Sequence, residues 1–332
     1  MLGFMSILLS NSSALYVWPQ VESLGRNASE RYRGRRAPEF DPASFGAFMD
    51  ATEKTPTGFV HPIAPLGIPG PVHLMVCSDK ARRSQRGSVC HVWSRDLPPN
   101  SVANLTDDIL VSTPEFLFLQ AAHRLPFLRL VEFGYELCAL YTYRIPGRAY
   151  TELRAPMTTT ARITAYLEGC SGAPGVRNAR AAIPQVLDRS RSIRESKLAV
   201  SLVLPRWRGG QAVSDLELNR RVPLNAEERK AAGKRYYELD FSVCDGMFAL
   251  EYFGKEEHSG AIRETRDIRR ESILQGKNIA VHGVTKSQAE NVMELERLAK
   301  LLYAATGDRW RAPSAAHEKA MRDLLRQLYP RK

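Results

Sequence analysis

Cysteine is scarce in this chain. The 332 residues include five cysteines, which are odd in number and far apart: Cys77, Cys90, Cys138, Cys170 and Cys244. No pair has the spacing of metal ligands, so the sequence indicates neither a disulfide framework nor a zinc site. This usage of cysteine is typical of a protein in a reducing cytoplasm.

The sequence also lacks an evident export signal or membrane-spanning run. The opening segment Met1–Leu9 is apolar, but it has no basic start and is too short to cross a bilayer. We therefore expect a cytoplasmic protein without a membrane partner.

Acidic residues are outnumbered by basic ones. Lys and Arg total 47, Asp and Glu total 36, and the net charge is +11. An excess of this size favours a polyanionic partner, and we expect DNA. A basic soluble protein without such a partner is the alternative that charge alone leaves open.

The order of predicted helices and strands indicates an α/β (α+β) protein. We expect a poorly defined basic segment over residues 1–70 and a separate α+β module over 71–188. Residues 189–332 read as a small mixed sheet flanked by helices.

Two predicted strands of the middle module, residues 72–77 and 88–93, are expected to form a hairpin. Its tip carries Arg82, Arg83 and Arg86, which are candidates for contacts with DNA phosphates. A solvated turn is an equally good interpretation of these cations.

A second predicted hairpin brings two acids together. Residues 234–243 alternate between apolar and polar, and the following Asp245-Gly246 is typical of a two-residue turn. A turn of that length fixes the register, so Asp240 is expected directly opposite Glu251 on the face away from the core.

Two like charges held this close destabilise a sheet unless something offsets them. A divalent cation, Mg²⁺ or Mn²⁺, held by Asp240 and Glu251 would do so, with water and phosphate as further ligands. Lys255 is predicted on the same face and is a candidate to assist the attacking water. A solvated carboxylate pair neutralised by a nearby arginine, or a protonated carboxyl, is the alternative.

The hairpin resembles the PD-(D/E)XK nuclease superfamily, and within it the branch similar to very-short-patch-repair endonucleases. The resemblance covers about residues 190–306 and is carried by Asp240 and by the run EYFGKEEH at 251–258. It implies a restriction-endonuclease-like fold, with a glutamate-bearing helix before the sheet and a histidine and an Arg/Asp-rich helix after it.

In this sequence the helix glutamate matches Glu195 and the histidine matches His258. The candidate catalytic set is therefore Asp240, Glu251, Lys255, His258 and Glu195. The later helix offers three candidate phosphate contacts, Arg266, Arg269 and Arg270, although an ordinary salt-bridged surface fits them too.

The chain departs from the superfamily pattern at one position. Phe253 stands two residues after the glutamate, where the pattern has Lys or an acid, and Lys255 is a possible substitute. Glu195 also has a structural explanation, because Ser192 and Glu195 have the spacing of a capping box. His258 is either a proton carrier or a loop histidine bonded to solvent.

A second resemblance lies upstream. The segments at 71–74, 97–99 and 111–115 look like proteins that contain an AbiEi-type antitoxin domain, a family that implies DNA binding. Three functions follow in order of preference: a Mg²⁺-dependent DNA endonuclease in phage defence or repair, a DNA-binding regulator that keeps an inactive nuclease fold, and a protein-interaction module.

Overall fold

The computed structural model describes residues 7–19, 68, 71–76, 79, 88–104, 109–142, 150–153, 155–253 and 261–330. The chain divides into two compact units, Met1–Pro184 and Gln185–Lys332. Both combine helices with sheets, which places the protein in the α+β class. Every helix within the described ranges is too short or too polar to span a membrane.

The first unit is built on a five-stranded sheet with the order β3-β2-β1-β5-β4. Its strands are β1 (Ile7–Leu9), β2 (Val72–Val76), β3 (Ser88–Val92), β4 (Val102–Asn104) and β5 (Ile109–Ser112). The apolar start of the chain is thus the central strand, with Leu8 and Leu9 fully buried. It runs antiparallel to β2 and parallel to β5.

The hairpin expected from β2 and β3 is not present. The two strands are adjacent but parallel, with Val72 beside Ser88 and Val76 beside Val92. Parallel neighbours cannot be joined by a tight turn, so the prediction of a hairpin tip is wrong. Arg82, Arg83 and Arg86 lie outside the described residues.

Helices complete the first unit. Thr113 caps the first of those after β5, because its hydroxyl accepts the N–H of Phe116 and Pro114 supplies the first helical residue. The helices are α1 (residues 11–19), α2 (Pro114–Ala122), α3 (Phe127–Cys138), α4 (Thr160–Glu168) and α5 (Val176–Ala182), and a two-stranded ribbon pairs β6 (Tyr141–Thr142) with β7 (Thr151–Glu152).

The second unit is built on a four-stranded mixed sheet with the order β11-β10-β9-β8. Strands β8 (Glu217–Pro223), β9 (Tyr236–Val243) and β10 (Phe248–Phe253) form an antiparallel meander, and β11 (Ala280–Thr285) runs parallel to β10. Its helices are α6 (Ile193–Val203), α7 (Ala226–Ala232), α8 (Ala261–Gly276), α9 (Lys286–Ala289), α10 (Val292–Thr306) and α11 (Ala315–Leu328). Helix α8 makes the crossover that a parallel pair requires.

The turn between β9 and β10 has the predicted length and register. Asp245 (φ 53°, ψ 29°) and Gly246 (φ 87°) have the dihedrals of a type I′ turn, and Met247 N–H donates to Cys244 O at 3.0 Å. Phe248 pairs with Val243, which is the register that the Asp-Gly turn predicts.

Strict alternation of faces does not extend along the whole hairpin. The ladder between β9 and β10 stops at Phe241 and Leu250. Leu239 and Ala249, expected on opposite faces, belong to one core cluster with Leu274 of α8. Beyond Phe241 and Leu250, β9 pairs only with β8 and β10 only with β11. The turn therefore no longer determines which side chains of β9 and β10 share a face.

The turn gives a direct test of how the hairpin is held. Gly246→Ala is expected to destabilise the protein by more than about 1 kcal/mol, because alanine is strained at this φ. In addition, its Cβ would lie 3.0 Å from Cδ of Arg220. Gly233 is the matched control, since it also has a positive φ (67°) but its added Cβ meets nothing within 4 Å. Urea unfolding of both variants measures the difference; equal losses would show that the contact with Arg220 contributes nothing.

Candidate active site

The two acids of the hairpin lie where its strands separate. Directly after the last ladder pair, Oδ2 of Asp240 accepts the backbone N–H of Tyr252 at 2.8 Å. The carboxylate of Glu251 in turn accepts the backbone N–H of Asp240. Each carboxylate therefore accepts a backbone N–H of the opposite strand. These two bonds hold Asp240 and Glu251 together at the point where the strands separate, called the junction below.

Burial gives these acids unusual acidities. Glu251 is 8% exposed, and its burial, followed by the charge of Asp240, raises the pKa of the Glu251 carboxyl to about 7. Burial likewise raises the pKa of Asp240, although the N–H of Tyr252 and the charge of Arg270 oppose the rise. Raised pKa values favour the protonated carboxyls, so ionisation of both acids at neutral pH creates negative charge that needs an offsetting partner.

Arg270 of α8 partly offsets that charge. Its Nη2 donates to Oε1 of Glu251 at 2.6 Å and to the backbone oxygen of Glu238 at 2.9 Å, and its guanidinium lies 5.6 Å from the ring centre of Tyr237. Sequence placed Arg270 among the phosphate contacts, whereas the structure places it inside the acid cluster. Helical spacing alone gives no sign of this contact.

Glu195 joins the same cluster from the start of α6. Its Oε2 accepts the N–H of Arg191 at 2.8 Å and the side-chain amide of Asn219 at 2.9 Å, and its Oε1 accepts the hydroxyl of Ser192 at 2.9 Å. Burial, followed by the charge of Asp240, raises the pKa of Glu195. The charge of Asp240 thus acts on the pKa of both Glu195 and Glu251.

The capping box expected at this helix is only half formed. Ser192 Oγ accepts the N–H of Glu195 at 3.1 Å, as a cap should. In a complete capping box the Glu195 carboxylate would accept the N–H of Ser192. Here it accepts the N–H of Arg191 and the hydroxyl of Ser192 instead. Glu195 therefore ties the segment before the helix to β8, through Asn219.

Asn219 is a site residue that the sequence did not single out. It is 1% exposed, has a φ of 51°, and donates both to Glu195 and to the backbone oxygen of Arg189 at 3.0 Å. Asparagine tolerates this backbone conformation better than most residues. An asparagine inside a polar strand carries no other signal, so only the tertiary contacts identify it.

We expect Glu195→Gln to lower stability more than cleavage. The new amide would face at least one of the three donors that now surround the carboxylate, at a cost of roughly 1–3 kcal/mol. Ser192→Ala is the comparison variant, with a loss of about 1 kcal/mol for the cap and the hydroxyl's bond to Glu195. Thermal unfolding and cleavage rates are compared; a large loss of cleavage at unchanged stability would instead make Glu195 a metal ligand.

Arg270→Gln is expected to move the pH dependence of the site upward. Arg270 opposes the rise in the pKa of Glu251, so its removal raises that pKa further and Glu251 ionises only at higher pH. Arg269→Gln is the control, because the Arg269 guanidinium donates to the backbone oxygen of Ala231 at 2.6 Å. The pH of half-maximal Mn²⁺ binding is the measurement, and an unmoved midpoint would contradict this role.

The structure describes only some of the remaining predicted residues. Lys255 and His258 lie outside the described residues, and so does the side chain of Arg266, although its helix is described. Phe253, at the position of the missing lysine, is 49% exposed. Glu238 pairs with Arg191 at 2.7 Å and with Arg221 at 3.1 Å, so arginines already engage it.

The acid pair has the chemistry of a site for a hard cation. Its ligands are carboxylate oxygens, and burial raises the pKa of both carboxyls, so that their ionised forms would be favoured by a bound cation. Across the described residues, no three His, Cys, Asp or Glu side chains are grouped to hold a metal. A cation here would therefore take two protein carboxylates, with water and substrate oxygens as its other ligands.

Comparisons of the chain with protein-family models, with curated proteins and with solved structures find no match.

Proposed function

We propose that the second unit hydrolyses phosphodiester bonds of DNA with a divalent cation, Mg²⁺ or Mn²⁺, held by Asp240 and Glu251. The observation that carries the proposal is the pair of carboxylates at the end of the β9–β10 ladder, of which Glu251 is buried and Asp240 is half-buried. Placing two acids side by side in a desolvated position lowers the stability of the fold. Such arrangements occur where charge is used, as at metal and catalytic sites.

The order of elements supports this proposal. A helix carrying Glu195 precedes the meander, the two acids lie on its second and third strands, and an Arg-rich crossover helix follows. This is the order that the resemblance to PD-(D/E)XK nucleases implies. The proximity of the acids also supports the proposal, because the charge of Asp240 raises the pKa of both Glu195 and Glu251.

In the proposed reaction Asp240 and Glu251 would hold the cation, which would supply an activated water molecule and offset charge on the scissile phosphate. Asp240 and Glu251 would bind the cation in their ionised forms, and the ion pair with Arg270 would favour the ionised form of Glu251. Lys255 and His258 are proposed to assist the water and to carry a proton. Glu195 would position the junction through Asn219 rather than react.

The first unit is proposed to contribute DNA binding, as its likeness to AbiEi-type antitoxin modules implies. The net charge of +11 supports an anionic partner. A role in phage defence or DNA repair, inside the cytoplasm, is consistent with both parts.

A second function, a DNA-binding regulator without cleavage, is favoured by two observations. Phe253 occupies the position where the superfamily has lysine or an acid, and Arg270 already pairs with Glu251. An arginine that neutralises the acid would make a cation unnecessary. This function predicts DNA binding that is insensitive to Mg²⁺ and Mn²⁺.

Incubation of the full chain with supercoiled plasmid and with single-stranded DNA separates the two functions. With Mg²⁺ or Mn²⁺ we expect nicked or linear products, and with a chelator none. Salt-dependent DNA binding without cleavage under any divalent cation would support the regulator. Absence of salt-dependent binding would favour a protein-interaction module.

A further inference from the structure

A small pocket of about 120 Å³ in the first unit is lined in part by cationic and imidazole side chains. Arg95 and Arg124 line it, with His91 from β3 and His123 from the end of α2. Gln120 adds a neutral polar group. Among the described residues that line the pocket there is no aspartate or glutamate.

Two histidines and an arginine form a chain of hydrogen bonds at this pocket. Arg124 Nη1 lies 2.9 Å from Nδ1 of His91, and Nε2 of His91 lies 2.8 Å from Nδ1 of His73. A guanidinium can only donate, so Nδ1 of His91 accepts and the hydrogen of His91 is on Nε2. His91 then donates to His73, and both rings are neutral in this arrangement.

Within the part of the molecule that the structure describes, the two histidines orient Arg124 without neutralising its charge. A carboxylate partner would cancel the charge of the guanidinium, whereas a neutral imidazole acceptor leaves it intact. Arg95 is likewise held by a neutral group, since its Nη1 donates to the backbone oxygen of Gly172 at 2.7 Å. Both guanidiniums are exposed and keep further N–H groups.

We propose that this pocket binds a phosphate group. Two guanidiniums at one pocket supply the charge-assisted donors that a phosphate accepts, and Gln120 and His123 offer additional polar contacts. Pockets for complete small molecules usually enclose about 300–1,000 Å³, so one of 120 Å³ admits a phosphate but not the rest of a nucleotide. The ligand is inorganic phosphate or the terminal phosphate of a larger molecule.

Titration calorimetry of the full chain with inorganic phosphate tests the proposal. Arg124→Gln and Arg95→Gln are each expected to weaken binding by about tenfold or more, because each removes charge-assisted hydrogen bonds. Arg129→Gln is the matched control, since Arg129 is exposed on α3 and pairs with Glu132. Thermal unfolding without phosphate verifies that each variant is folded.

Three results would overturn the proposal: no binding of phosphate at millimolar concentrations, equal binding by the wild type and both pocket variants, or an equal loss in Arg129→Gln. The source of the phosphate is resolved by oligonucleotides with a 5′-phosphate or a 5′-hydroxyl. Competition with inorganic phosphate by the phosphorylated strand alone would support a nucleic-acid end as the ligand. Competition by neither strand, with phosphate binding still dependent on Arg124, would support the free anion.

Discussion

Asp240→Asn and Glu251→Gln are each expected to lower metal-dependent DNA cleavage by at least about 100-fold, which is the scale of losing a principal electrostatic contact in a site. Both substitutions remove a ligand charge while keeping the shape of the side chain. Asparagine at 240 retains an oxygen that can accept the N–H of Tyr252, so the junction should stay intact. Rates on plasmid DNA in Mn²⁺ are the measurement.

Glu238→Gln is the matched control for these variants. Glu238 lies two residues from Asp240 on β9, but Arg191 and Arg221 engage it. Its loss should change cleavage by less than about tenfold, since its ion pairs are partly exposed to solvent. The proposed role of Asp240 and Glu251 as cation ligands would be contradicted if Glu238→Gln were as inactive as Asp240→Asn, or if Asp240→Asn still cleaved DNA.

The second large effect concerns the dependence of stability on pH. The pKa of Glu251 is about 7 in the folded protein against 4.5 for the ordinary side chain, so the folded state holds the proton more tightly than the unfolded state. Stability from this group is therefore full below about pH 4.5 and is lost as pH rises through 7. A difference of that size corresponds to roughly 3 kcal/mol of unfolding free energy.

Urea unfolding at pH 5 and at pH 8 measures this effect. Because other carboxyls also titrate, the informative quantity is the pH-dependent difference between the wild type and Glu251→Gln, which should favour the variant as pH rises. Mg²⁺ or Mn²⁺ at pH 8 should restabilise the wild type alone, since a ligand that binds only the folded state raises its stability. Equal pH profiles for the two proteins would contradict the raised pKa.

The hairpin could be predicted from sequence because its determinants are local. The Asp245-Gly246 pair specifies a type I′ turn, the turn specifies the register, and the register brings Asp240 to the level of Glu251. Glu195 is a candidate because the resemblance to PD-(D/E)XK nucleases implies a glutamate-bearing helix before the sheet. These inferences need only neighbouring residues or the order of elements along the chain.

Long-range pairing explains what the sequence did not reveal. Nothing in the run 7–9 indicates a central strand beside residues separated from it by most of the unit, and nothing in β2 and β3 distinguishes a parallel from an antiparallel pair. The contacts of Arg270 and Asn219 with the acids could not be predicted for the same reason. Their partners, Glu251 and Glu195, lie on other elements and are set by packing.

Titration of the full chain with Mn²⁺ at pH 8, followed by electron paramagnetic resonance, tests the account most directly. The account predicts one Mn²⁺ site in the wild type and in Glu238→Gln, and its loss in the double variant Asp240→Asn, Glu251→Gln. Retention of the site by the folded double variant, or no Mn²⁺ binding by the wild type, would contradict it.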